Sequence, residues 1–218
     1  MRRYFYVGTL VATALIAILP VTSAAAASVH VLTTGKVGGA AVKPGAVLNA
    51  SLEKGSAATF SSSLGKLTCT KSSLTVKVIG NPAKRGTARE TLTSQTFSKC
   101  TINVSGVTVS SVTLSNLPYN VTVSDSKGNP VKVSGRSKTA PLLTAFTVKF
   151  GTLVVSCSLK ATAISGSASN KGSVTVFAKQ SFTRAAGGGF CPASGTFSAA
   201  YGPLTDVSVK GHPAVFVN

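Results

Sequence analysis

The chain has 218 residues, with 22 Lys and Arg against 4 Asp and Glu, a formal net charge of +18 and no tryptophan. So few carboxylates, and only two histidines, leave little material for acid–base or hydrolytic catalysis. Abundant Thr, Ser, Val, Ala and Gly favour strands and turns over helices.

The first residues, MRRYFYVGTLVATALIAILPVTSAAAAS, place Arg2 and Arg3 ahead of an apolar run to Leu19, then Pro20 and small residues from Ser23 to Ala27. This is the layout of a secretory signal peptide, 1–27, with cleavage expected after Ala25 or Ala27. The arginine pair suits twin-arginine and ordinary export equally. No later segment approaches the roughly 20 apolar residues of a spanning helix, so a secreted, extracellular product is expected. Setting aside Arg2 and Arg3 leaves 20 cationic side chains against 4 carboxylates, a formal +16 on the mature chain.

Beyond the leader, short segments alternate apolar and polar residues at period two: TVKV (75–78), VKVS (131–134), FTVKF (146–150) and SVTVF (173–177). Turns are marked by GNP (80–82), SKGNP (126–130), SNKG (169–172) and KGHP (210–213). The second half repeats the order of the first. Cys69 answers to Cys157, Gln95-Thr96-Phe97 to Gln180-Ser181-Phe182, and Cys100 to Cys191 with AAGGG inserted. KGNPVKVS (127–134) answers to KGHPAVFVN (210–218). The expected fold is all-β: duplicated antiparallel β-sandwich units packed as a compact two-lobed body. The first unit, with an N-terminal strand, spans 28–135 and the second 136–218. VHVLTT (29–34) resembles the VKVS segment, pointing to a strand shared or exchanged between units.

Four cysteines in an oxidising compartment read as two disulfides. Equivalent units make equivalent bridges, which selects Cys69–Cys100 and Cys157–Cys191. Zinc is disfavoured, because no pair has C-x2-C spacing and only His30 and His212 could assist. No catalytic, cofactor-binding or metal-binding residue is assigned.

The carboxylates are Glu53, Glu90, Asp125 and Asp206. Glu53 and Glu90 fall in segments rich in Lys or Arg, while Asp125 and Asp206 read as turn residues that bond local backbone. His212 stands where Asn129 stands in a Lys-Gly-x-Pro turn, and so reads as a turn residue too. No G-x-S-x-G occurs, and GGGF (187–190), followed by Cys191 and Pro192, is a loop rather than a phosphate cradle. Gln95 and Gln180 share a strand face with Phe97 and Phe182, so each glutamine is expected partly buried, clamping a neighbouring loop. Phe60, Phe146, Phe150 and Tyr201 are expected in the core.

Charge carries the functional expectation. Lys77, Lys84, Arg85, Arg89, Lys132, Arg136, Lys138 and Lys149 are candidate polyanion-binding residues. Lys77, Lys132 and Lys149 alternate with valines, which puts them on the solvent face. Such a surface attracts anionic cell-wall polymers or a membrane surface, with strong salt dependence. Few aromatics and no recognition motif argue against specific nucleic-acid recognition. The expectation is a non-enzymatic secreted protein associating with the anionic cell envelope. One alternative is an enzyme whose carboxylates converge in a cleft. The other is a membrane-active or pore-forming assembly, which needs outward apolar faces roughly ten residues long.

At VLTTGKVGG (31–39), TLTSQTFSKC (91–100), NLPYNVTVSD (116–125), CPASGTFSAAYGP (191–203) and PAVFVN (213–218), the chain resembles a group of secreted actinobacterial proteins. These are usually labelled only as signal-sequence or secreted proteins of unknown function. The likeness spans nearly the whole mature chain and implies bacterial export and a four-cysteine, β-rich body. It implies no catalytic residues. The density of basic residues departs from the more neutral members, which ties a charge-based role to this chain rather than to the group.

Overall fold

A computed structural model describes residues 29–218, and the expected leader, 1–27, lies outside the described residues. Among the described residues there is no helix. The first nine strands are β1 (Leu32–Thr34), β2 (Ala40–Ala41), β3 (Val47–Ser51), β4 (Ala58–Ser62), β5 (Gly65–Gly80), β6 (Thr87–Ile102), β7 (Val107–Ser115), β8 (Tyr119–Ser124) and β9 (Pro130–Ser134). The rest are β10 (Leu142–Phe150), β11 (Leu153–Ala161), β12 (Ala163–Ser169), β13 (Val174–Ala186), β14 (Ser194–Tyr201), β15 (Thr205–Asp206) and β16 (Val215–Val217).

Period-two alternation explains the strand faces. On β5, Val76 and Val78 are buried while Lys77 between them is exposed. β9 repeats this with Val131 and Val133 around Lys132. The expected all-β class and both expected disulfides are present.

The layering differs from the expectation. Hydrogen bonding runs β12-β9-β8-β6-β5-β4-β14-β13 and returns from β13 to β12, through pairs from Gly166–Phe177 to Ser169–Val174. Eight strands thus close into a barrel, rather than forming sandwiches of two stacked sheets. The physical cause is the length of β5 and β6, 16 residues each, and of β13, 13 residues. Strands this long accumulate twist, and a twisted sheet curls until its edges meet. β5 and β13 also change partner along their length. β5 pairs with β4 over residues 65–69 and with β3 over residues 73–77. β13 pairs with β12 near Val174 and with β11 near Arg184. From β13 the sheet continues through β11 and β10 to β7, which packs back on β6.

Strands from the two halves of the sequence interleave, with β4 on β14, β9 on β12 and β7 on β10. The N-terminal strand β1 pairs with the C-terminal strand β16. Asn81 pins β1 by accepting from Leu32 N at 2.9 Å and donating to Leu32 O and Val42 O at 2.8 Å. The two Lys-Gly-x-Pro turns are alike in detail. Backbone bonds of 2.8 and 3.0 Å close Ser126–Asn129 and Val209–His212. Gly128 and Gly211 have φ of 86° and 85°, and Asn129 and His212 follow at 45° and 46°. A left-handed residue at the third turn position is what glycine supplies without steric cost. His212 is a turn residue.

Cys69–Cys100 staples β5 to β6, and Cys157–Cys191 ties β11 to the loop after β13, with sequence separations of 31 and 34. Loops of that length correspond to about 3–4 kcal/mol each in the chain-entropy model. Disulfides of this kind point to an oxidising environment. Phe60 and Tyr201 are buried as expected, and Phe60 meets Phe197 at 4.9 Å and Phe97 at 5.7 Å. Phe146 is half-buried against the core. Phe150 departs from expectation: it ends β10 and is 59% exposed, between Val107 of β7 and Leu153 of β11.

The closing seam depends on Gly166. A Cβ there would lie 2.4 Å from the Val176 carbonyl oxygen and 2.8 Å from the Phe177 ring. Gly166→Ala is expected to lower stability by about 1–3 kcal/mol, the usual cost of overpacking. Urea unfolding followed by circular dichroism measures it, and an unchanged midpoint would show that the seam yields freely.

Candidate functional site

Inside the ring, the inward side chains leave a cavity of about 90 Å³. Its wall is mostly aliphatic and aromatic, with Val76, Val121, Val123, Val131 and Phe177 among the lining residues. Into this wall β6 places one carboxyl group, Glu90, which is 4% exposed. Its register partners are Val78 on β5 and Val121 on β8. Among the described residues, its Oε1 has no hydrogen-bond partner. Burial disfavours the charged form, and the carboxyl pKa is pushed up to about 7. The sequence reading placed Glu90 in a basic segment and missed this position. The signal was there in the alternation: Ala88, Glu90 and Leu92 share the buried face, and Arg89 points the other way.

A second polar group in the wall is fully bonded. Tyr201 Oη lies 2.9 Å from Ser72 Oγ and accepts from Gln95 Nε2 at 2.6 Å. Burial raises the Tyr201 pKa to about 12, against the opposing pull of those two bonds. The expected glutamine clamp therefore forms, but on strands rather than loops. Gln95 holds Tyr201 of β14, and Gln180 Oε1 accepts from Ser165 N of β12 at 2.6 Å.

The four carboxylates do not gather around one cleft. Glu53 is exposed. Asp125 Oδ2 accepts from Arg85 N, so it orders the β5–β6 turn rather than its own turn. Asp206, 2% exposed, accepts from Ser208 N at 2.9 Å in the local role expected of it. Glu90 is the one carboxylate lining the cavity among the described residues. Among the same residues, no group of three His, Cys, Asp or Glu could hold a metal ion, and no helix is long and apolar enough to cross a membrane.

On the outside, Lys77, Lys84, Arg85, Arg89, Lys132, Arg136, Lys138 and Lys149 are all exposed. Arg89 and Lys132 both pair with Thr122, one on each side, which sets them two strand spacings apart, roughly 10 Å. Lys84 and Arg85 sit in the β5–β6 turn, and Arg136 and Lys138 in the β9–β10 loop. Lys149 lies near the opposite end of the molecule, beside Phe150. The eight cations coat the barrel rather than forming a single pocket.

That opposite end carries a feature the sequence reading did not assemble. The β4–β5, β6–β7 and β10–β11 turns meet there with the 187–192 loop. Asn103 Oδ1 accepts from Lys66 N at 2.6 Å, and the Phe150 ring lies over Gly106. Leu64, Phe146, Phe190 and Pro192 line one cavity of about 70 Å³. Arg184 Nη1 donates to Gly188 O and Cys191 O, both at 3.0 Å, and so holds the loop that presents Phe190. Phe190 is 74% exposed and Phe150 59%; Leu64, Leu153 and Val154 are also exposed. Lys66 and Lys149 flank this apolar tip, and none of the four carboxylates falls in its segments.

No family model, curated protein or solved structure matches the chain.

Glu90 ties stability to pH. Its folded-state pKa of about 7 lies above the ordinary 4.5, so the native state holds this proton more tightly than the unfolded chain. The contribution is complete below about pH 4.5 and is lost as pH rises through about 7, a change on the order of 3 kcal/mol. Urea midpoints at pH 5 and pH 8 read it, and Glu90→Gln is expected to abolish this part of the pH dependence. A wild-type midpoint no lower at pH 8, relative to Glu90→Gln, would show that the carboxyl ionises without penalty.

Proposed function

We propose that the protein is a secreted, non-enzymatic β-barrel protein that docks on the anionic surface of the bacterial cell envelope. The observation that carries this reading is the apolar tip: five exposed large hydrophobic side chains flanked by lysines and free of carboxylates. An exposed apolar cluster of this kind is unusual on a soluble monomer unless something covers it. Anionic lipid fits both features, since headgroups pair with the lysines while Phe150, Phe190 and Leu153 enter the acyl boundary. The coat of some sixteen uncompensated positive charges adds long-range attraction that salt screens. Acidic wall polymers would use the coat but would have no use for the tip.

Several supporting points come from the sequence. The leader layout favours export, the disulfides suit an oxidising compartment, and the resemblance to secreted actinobacterial proteins suits both. We also read the two halves as copies of one unit; the matching Lys-Gly-x-Pro turns, at φ values within a degree of each other, support it.

Co-sedimentation of the mature protein with vesicles tests the docking reading. Phosphatidylglycerol-containing vesicles are expected to retain the protein at low salt and release it as salt rises, with little retention on zwitterionic vesicles. Fully burying one large apolar side chain contributes roughly 1.5–3 kcal/mol, so replacing both Phe150 and Phe190 by Ser is expected to weaken retention at least about tenfold at unchanged salt slope. Retention only on isolated wall polymer, indifferent to that double substitution, would move the partner from lipid to wall. Full recovery in the supernatant with both would sink the reading.

A further inference from the structure

We infer that the barrel interior is a binding site for a small, neutral, apolar carbonyl compound, held by a hydrogen bond from the Glu90 carboxyl group. The site lies inside the ring, apart from the tip, so this inference and the docking reading can fail separately.

Three observations carry it. The first is the cavity itself, about 90 Å³ in a wall built of valines and aromatic rings. Close packing is the rule in protein interiors, and a void of that size costs stability unless something fills it. The second is that Glu90 is buried to 4% exposure and keeps Oε1 unpartnered, although valine or leucine would suit the wall better. A buried carboxyl group without a partner is costly, and a guest that accepts its proton recovers part of that cost. The third is that the two buried tyrosines of the wall are already satisfied. Tyr201 is taken by Ser72 and Gln95, and Tyr119 Oη accepts from Leu143 N at 2.9 Å and donates to Ser115 O. Of the wall side chains left without a hydrogen bond, Glu90 is the one that titrates, and it is the anchor point.

The chemistry of the guest follows from charge. Among the described residues, no Lys, Arg, His or Asp lines the cavity, and the only other titratable groups in its wall are Tyr119 and Tyr201, both held protonated by burial. A cationic guest would have to shed its hydration in an apolar chamber, inside a protein that already repels cations. An anionic guest would meet Glu90 itself. A neutral carbonyl avoids both costs: the protonated carboxyl donates and the guest oxygen accepts. Size follows from comparison with the roughly 150 Å³ cavity that accepts benzene, which puts the guest, or the part of it that enters, at about four heavy atoms.

The probe is acetone, an acceptor with no donor of its own, titrated into the full mature protein while the methyl signals of Val121, Val123 and Val131 are followed by NMR. Saturable shifts are expected at pH 5. Because only the protonated carboxyl can donate, affinity is expected to fall about thirtyfold between pH 5 and pH 8.5 for a group titrating near 7. Glu90→Gln retains an N–H donor and is expected to bind with no such pH dependence, whereas Glu90→Leu is expected to lose most of the affinity. The wild-type pH profile stands without either variant. Absence of saturable shifts at pH 5, or equal binding at both pH values in the wild type, would overturn the inference. So would propylamine binding in preference to the ketone and more tightly as pH rises.

Discussion

The pairing of β12 with β13 is the contact on which the rest of the molecule depends. Without it, the eight-strand path would be an open, strongly twisted sheet, with β12 and the Val174–Phe177 part of β13 as unpaired edges, each a template for association. With it, the sheet has an inside, and the inward faces of β5, β6, β8, β9 and β13 address one another across a shared core. Gly166 makes the seam possible, since its missing side chain is where the Phe177 ring lies. Both the buried carboxyl and the cavity exist only because this ring is shut.

Much of this architecture could be read from residue order, and the failures are instructive. The all-β class followed from period-two alternation, and the disulfide pairing followed from the ordered match between halves. Those are local or near-local signals. Whether the strands stack as sheets or close into a ring rests on pairings such as β4 with β14 and β12 with β13, which depend on accumulated twist. Period and turn chemistry do not encode that. Phe150 shows the limit from the other side. FTVKF correctly places Phe146 and Phe150 on one face, but burial needs a covering layer, which alternation does not report.

Glu90 is a different kind of miss. Its neighbours Arg85 and Arg89 made the segment look solvated, yet alternation separates Arg89 from Glu90 by turning them to opposite faces. A charged residue in phase with Ala88 and Leu92 was the visible conflict between pattern and polarity. Such conflicts between local chemistry and global fold are where function or strain is to be sought.

The outside and the inside of the barrel also oppose one another electrically. A coat of cations lowers the pKa of any carboxyl that feels it, so Glu90 would be held ionised if surface charge governed it. Burial governs instead. The cations sit in water, where their field is screened within about 8 Å at physiological ionic strength, while desolvation acts on the carboxyl directly. The same separation lets the exterior be tuned to an anionic surface without altering the chamber. A thin sheet wall, one side chain deep on each face, is enough to insulate two chemistries that would otherwise neutralise each other.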